Sequence, residues 1–176
     1  KLEGARVLIP DIYKGKMGVD AEEAHHLMST LDFPLAVKEI SQAALSSLLQ
    51  LQTPCASPDI SCGASFYGVN FGLFESEQLK SKPVQGHFGA EDSMMGFSDP
   101  ETAKKLESVL KEGGNAQAEV FIYDGVGHAF MNSDPAPFKS FEERKEKLGF
   151  PPYDAAQSEL AWGRLVTFFT NNLMDE

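Results

Sequence analysis

The sequence predicts an α/β fold, with a mostly parallel sheet and flanking helices. Short β-rich apolar runs at residues 6–10, 60–67, 83–89 and 118–123 alternate with longer stretches of helical period. Glycine and proline punctuate most of the boundaries. At 176 residues, 42% of them hydrophobic, the chain has the size and composition of one domain with its own core, so a single domain over residues 1–176 is expected.

Val7-Leu8-Ile9, running into Pro10-Asp11-Ile12-Tyr13, reads as a buried strand leaving into a loop. A buried parallel strand needs a neighbour on each side, so one this close to the first residue implies sheet partners upstream. Residues 14–29 are polar and Gly-punctuated, a loop or a short helix. Pro34 suits the first turn of a helix over 34–52, with Leu35, Ile40, Ala44, Leu48 and Leu51 on one face. Residues 53–59 carry two prolines and form a loop. The strand at 60–67 is built of small residues, which let a helix pack closely on it. A loop over 69–82 leads to the strand at 83–89, and Asp92 sits in the turn beyond.

Ser98 reads as the cap of the next helix, with Glu101 three residues on as its capping-box partner. Ala103, Leu106 and Val109 or Leu110 keep the helical period, and Gly113-Gly114 stops it. After the strand at 118–123, a charged insertion over 135–152 holds a short helix at 138–148. The last helix, 153–173, is expected to bury Leu160, Leu165, Phe168 and Phe169 or Leu173.

Net charge is −11, which argues against nucleic acid and anionic membrane as partners and favours a soluble monomer or small homo-oligomer. No apolar run approaches the roughly 20 residues of a spanning helix, and Lys1-Leu2-Glu3-Gly4-Ala5-Arg6 is not a signal peptide. Two cysteines, Cys55 and Cys62, make no disulfide scaffold, so the cytoplasm or an organelle interior is the expected compartment. No phosphate loop, dinucleotide fingerprint or metal cluster is present. His25 and His26 are adjacent, so on a helix they face different directions and are expected in solvent. His87 lies inside a strand, packed or hydrogen-bonded in the sheet.

Two loops carry the chemistry. Asp92 follows the strand at 83–89, and His128 follows the strand at 118–123 on the turn Asp124-Gly125-Val126-Gly127. A helix lies between these strands, so they form a right-handed βαβ unit and both loops leave one edge of the sheet, on strands about 4.8 Å apart. A carboxylate and an imidazole 36 positions apart therefore meet. The carboxylate fixes the tautomer, and the second ring nitrogen is free to serve a nucleophile. Acid before histidine, after the last two strands, is the chain order of α/β-hydrolases.

Gly86-His87-Phe88-Gly89-Ala90-Glu91-Asp92 resembles the acid loop of dienelactone hydrolases, and Gly127-His128-Ala129-Phe130-Met131-Asn132 their histidine loop. Val7-Leu8-Ile9-Pro10-Asp11-Ile12-Tyr13, Ser65-Phe66-Tyr67-Gly68 and Ala161-Trp162-Gly163-Arg164 resemble further family segments in the same order. The resemblance implies an α/β-hydrolase fold and hydrolysis of a lactone or small ester by a Cys-Asp-His triad. Asp92 would orient the base and His128 would be the base; no metal or organic cofactor is implied.

The family's nucleophile elbow, Gly-x-Cys-x-Gly, has no counterpart here, nor has a Gly-x-Ser-x-Gly. The leading strands are absent as well, and the elbow segment would belong near residues 44–45. An incomplete α/β-hydrolase fold in a truncated or spliced form is therefore expected. The missing strands would leave a gap of about 14 Å in the sheet. Cys62 is the substitute nucleophile by residue type, with Ser61 and Ser65 behind it. It sits within a strand, where cysteine usually serves as a small hydrophobe. Cys55 lies in a loop without an elbow glycine. The chain as written is expected to be nearly inactive. The alternative is an inactive hydrolase-fold protein that binds a small ligand or a partner.

Overall fold

The computed structural model describes residues 11–32, 34–36, 38–39, 61–71 and 76–173. The chain divides into two compact units, Lys1–Ile60 and Ser61–Glu176. The expected strand at 6–10, Cys55 and the expected elbow position lie outside the described residues.

In the first unit, helix α1 (Ala21–Ser29) occupies the stretch read as loop or short helix. Its cap is reciprocal: Asp20 accepts the Glu23 N–H at 2.9 Å, and Glu23 accepts the Val19 N–H at 3.1 Å. His25 and His26 are exposed, as expected of adjacent residues on a helix. Of the helix expected over 34–52, the described residues 34–36 and 38–39 are helical. There Ala36 is buried and Leu35 exposed, so the face read for Leu35 is off by one position.

The second unit holds three parallel strands in the order β1 (Gly63–Phe66), β2 (Val84–Gly89), β3 (Ala118–Tyr123). Gly63 pairs with Val84, and Val84 with Ala118. A 3-10 turn at Ser76–Leu79 precedes β2. Helix α2 (Pro100–Glu112) is the crossover from β2 to β3. It buries Ala103, Leu106 and Leu110 against Val84, Phe88 and Ala118 on one sheet face. Asn115 locks the return to β3, its Nδ2 donating to the carbonyls of Leu79 at 2.7 Å and Lys82 at 2.9 Å.

Helix α3 (Phe141–Leu148) is capped by Ser140, which accepts the Glu143 N–H at 3.3 Å. Helix α4 (Ala155–Leu173) covers the other sheet face, where Tyr123, Val126, Phe130 and Ala161 form a second core. Its buried positions are Ser158, Ala161, Leu165 and Phe168, a single stripe at helical spacing. Leu160 falls off that stripe and is exposed at 47%, contrary to the sequence expectation; of the alternatives Phe169 and Leu173, Phe169 is half-buried and Leu173 exposed.

The cap of α2 also differs. Asp99, not Ser98, is the N-cap, accepting the N–H groups of Glu101 at 3.1 Å and Thr102 at 3.2 Å. A carboxylate offers two acceptor oxygens, and Pro100 then falls at the first helical position, where its missing N–H costs nothing. Burial alone would raise the Asp99 pKa, but bonds from the Thr102 hydroxyl and the Gly96, Thr102 and Glu101 amides outweigh it and hold the pKa below its ordinary value.

Candidate active site

The acid and histidine loops extend the β2–β3 pairing past the strand ends. Ala90 N donates to Tyr123 O at 2.8 Å, and Glu91 N to Val126 O at 2.9 Å. Asp92 then turns inward, its Oδ1 accepting the Met94 N–H at 3.0 Å. Its Oδ2 lies 2.9 Å from Nδ1 of His128; the Asp92 side chain is wholly buried, whereas that of His128 keeps 17% of its surface exposed. The structure thus brings together the two site residues that the sequence picked out.

The ring is held from several sides. Phe150 packs at 4.7 Å between centroids, Tyr67 at 5.7 Å and Phe97 at 6.4 Å. Behind it, Ser158 of α4 donates to Phe130 O at 3.0 Å and fixes the loop to the helix.

Ser98, read as a cap, is the residue that sequence reasoning missed. It is fully buried, and its Oγ lies 3.1 Å from His128 Nδ1, so Asp92, His128 and Ser98 form a triad-like cluster. Both oxygens sit on the same ring nitrogen. An Nδ1–H facing a carboxylate is shared between Asp92 and Ser98, and among the described residues no hydrogen bond engages Nε2. A hydroxyl activated for attack would have to meet Nε2. The signal for Ser98 was its position just before a helix N-terminus that closes on the acid loop.

Cys62 is not brought to this cluster. It precedes Gly63, the first residue of β1, whereas the pair lies beyond the carboxyl ends of β2 and β3. In a parallel sheet the length of a four-residue strand, roughly 13 Å, separates those rims. Burial pushes the Cys62 thiol pKa up, which disfavours the thiolate.

His87, by contrast, is a core residue of β2. Its Nδ1 meets the Tyr123 hydroxyl at 2.7 Å and its Nε2 meets Gln85 Oε1 at 2.8 Å, while its ring stacks on Phe66 at 4.3 Å. Burial first, and then the Arg164 charge, lower its pKa to about 4. A groove of about 640 Å³ runs along α4, past Gln85, Glu119, Phe121 and Arg164. It lies on the α4 face, away from the His128 ring.

Among the described residues no helix is long and apolar enough to cross a membrane. Residues 51–173 match the model of the dienelactone hydrolase family. A protein of Azospirillum brasilense named as a carboxymethylenebutenolidase is 29% identical over 119 residues, covering 67% of this chain and 43% of that protein. This chain therefore spans less than half the length of that curated relative. The crystal structure of a protein from Klebsiella pneumoniae, named as a dienelactone hydrolase, superposes with a TM-score of 0.58 at 16% identity. That superposition covers 84% of this chain and 65% of the other, and at such identity it speaks for the fold. The parallel sheet, the acid loop and histidine loop in family order, and a family match over more than half its residues place the chain in one group: it belongs to the dienelactone hydrolase family.

Proposed function

We propose that Asp92 and His128 are the acid and the base of a hydrolase acting on lactones or small esters, of the dienelactone hydrolase (carboxymethylenebutenolidase) type. The observation that carries this reading is the 2.9 Å contact between Asp92 Oδ2 and His128 Nδ1; among the described residues no hydrogen bond engages Nε2. The buried carboxylate holds the Nδ1–H tautomer and stabilises the imidazolium. Nε2 takes the proton of a nucleophile as it attacks the carbonyl carbon, then returns it to the leaving alkoxide. The family resemblance assigns the nucleophile to an elbow cysteine that this chain lacks. Ser98 shares Nδ1 with the carboxylate, and Cys62 lies just before the opposite end of β1, so neither takes that place. The substrate is a small molecule, and no cofactor enters the reaction.

The absence of an elbow supports a second reading, an inactive hydrolase-fold protein that binds a small ligand or partner. Inserting a dienelactone hydrolase strand–Gly-x-Cys-x-Gly–helix segment between Ala44 and Leu45 separates the two. On the first reading the insertion restores turnover of a lactone or aryl ester, and His128→Ala then lowers it by roughly 10⁴–10⁶. The chain without the insertion turns over neither substrate faster than its own His128→Ala variant. Restored turnover that ignores His128→Ala would refute the assignment.

A further inference from the structure

Tyr67 ends the β1 segment in left-handed backbone, φ +57°, and so does Ala129, φ +57°, directly after His128. A residue with a Cβ rarely adopts that region, and such backbone gathers where a fold imposes a functional geometry. Hydrogen bonds from several elements converge on the turn that Tyr67 opens. Tyr67 N donates to His87 O at 3.0 Å, and Val69 N to Phe97 O at 2.9 Å, tying the turn to β2 and to the acid loop. On the other side, Met131 N donates to the Tyr67 hydroxyl at 3.2 Å, across 64 positions of sequence. The Tyr67 ring stands edge-on to Phe130 at 5.4 Å and tilted to His128 at 5.7 Å. One side chain thus spans from the end of β1 to the backbone three residues past the candidate base.

We propose that Tyr67 is a positioning residue. By holding the Met131 N–H, its hydroxyl fixes the 128–131 turn so that His128 Nδ1 stays on Asp92 and Nε2 faces the reacting group. This rests on the proposed roles of Asp92 and His128. Burial raises the Tyr67 pKa to about 12, against the Met131 bond and the Arg144 charge, so the group remains a neutral phenol across the working range of a histidine base. Its oxygen accepts from Met131 throughout that range.

The test is solvent exchange of the His128 Nδ1 proton, read by NMR on the full chain with ¹⁵N-labelled histidine. Tyr67→Phe keeps the ring and removes the hydroxyl. It is expected to speed exchange roughly tenfold, the scale of one lost hydrogen bond. Leu106→Ala, in the core on the α2 face, lowers Tm and leaves that exchange unchanged. In the wild-type chain the Met131 amide is expected to be protected, a readout that needs no variant to fold. An unchanged rate in Tyr67→Phe, an equal acceleration in Leu106→Ala, or an unprotected Met131 amide overturns the role of Tyr67. Asp92→Asn separates the two levels. It is expected to abolish the slow exchange, and if it does not, the Asp92–His128 reading itself fails.

Discussion

A Cβ built on Gly89 would lie 2.7 Å from the Cα of Gly127 and 2.5 Å from the carbonyl oxygen of Val126. The acid and histidine loops therefore touch backbone to backbone, a distance that only glycine permits. Gly127 is equally confined, since its own Cβ would fall 2.6 Å from Pro151 Cδ. Gly89→Ala must push the loops apart. We expect it to cost about 1–3 kcal/mol, as overpacking usually does, and to lengthen the Asp92–His128 contact. The urea midpoint and the low-field Nδ1–H resonance report the two effects. Wild-type values for both would show that the loops yield without cost.

Ser98 gives a second prediction, because its oxygen sits on the wrong nitrogen for attack. A fluorophosphonate probe should leave Ser98 unlabelled. In an elbow-bearing form of the chain, Ser98→Ala should lower turnover by less than about tenfold, the scale of one neutral hydrogen bond, against the 10³ or more expected of a nucleophile. Stoichiometric labelling of Ser98, mapped by mass spectrometry, would reverse that assignment.

Cys62 offers a third. Burial raises its thiol pKa, so at neutral pH less of it is thiolate than in an exposed cysteine. Alkylation by iodoacetamide, followed at this cysteine by peptide mapping, should be slower than for a free thiol at pH 7 and should accelerate with increasing pH beyond the ordinary thiol range. Rapid modification at pH 7 would mean an activating environment that burial does not supply.

These residues also mark what the sequence made legible. The strand Ala118–Tyr123 was readable to the residue, because a β-rich run is bounded by polar and glycine signals. The meeting of Asp92 with His128 followed from topology, since a helical crossover returns the chain to the same sheet edge. The cap of α2 slipped by one position, because Ser98 and Asp99 both satisfy the cap pattern and only the fold decides which faces His128. The buried stripe of α4 was misread at Leu160, because Ser158 and Ala161, small residues that allow close approach, carry the contact. The polar partners of His87 lie on its own strand and on β3, and no local pattern pairs them.

That last group yields a prediction about acid. Gln85 Nε2 donates to Glu119 Oε2 at 3.2 Å, so its Oε1 accepts from His87 Nε2–H, and the Tyr123 hydroxyl donates to His87 Nδ1. This arrangement requires a neutral ring. Burial, assisted by the Arg164 charge, lowers the folded pKa to about 4, against about 6.5 in the unfolded chain. Well above pH 6.5 the ring is neutral in both states and pH has no effect through it. As pH falls below 6.5 the unfolded chain gains a proton that the folded chain refuses, so stability falls; the loss levels off once pH drops below about 4. Between pH 6.5 and 5 the cost is about 1–2 kcal/mol. His87→Phe keeps the stack on Phe66 but leaves the Tyr123 hydroxyl and Gln85 Oε1 without their partner, so it should be less stable at pH 7.5 and flatter with pH. Urea unfolding of both chains at pH 7.5, 6.0 and 5.0 checks this, because titrations common to both cancel in the difference. Parallel curves for the two chains would mean that His87 titrates normally and that the buried chain of hydrogen bonds does not hold it neutral.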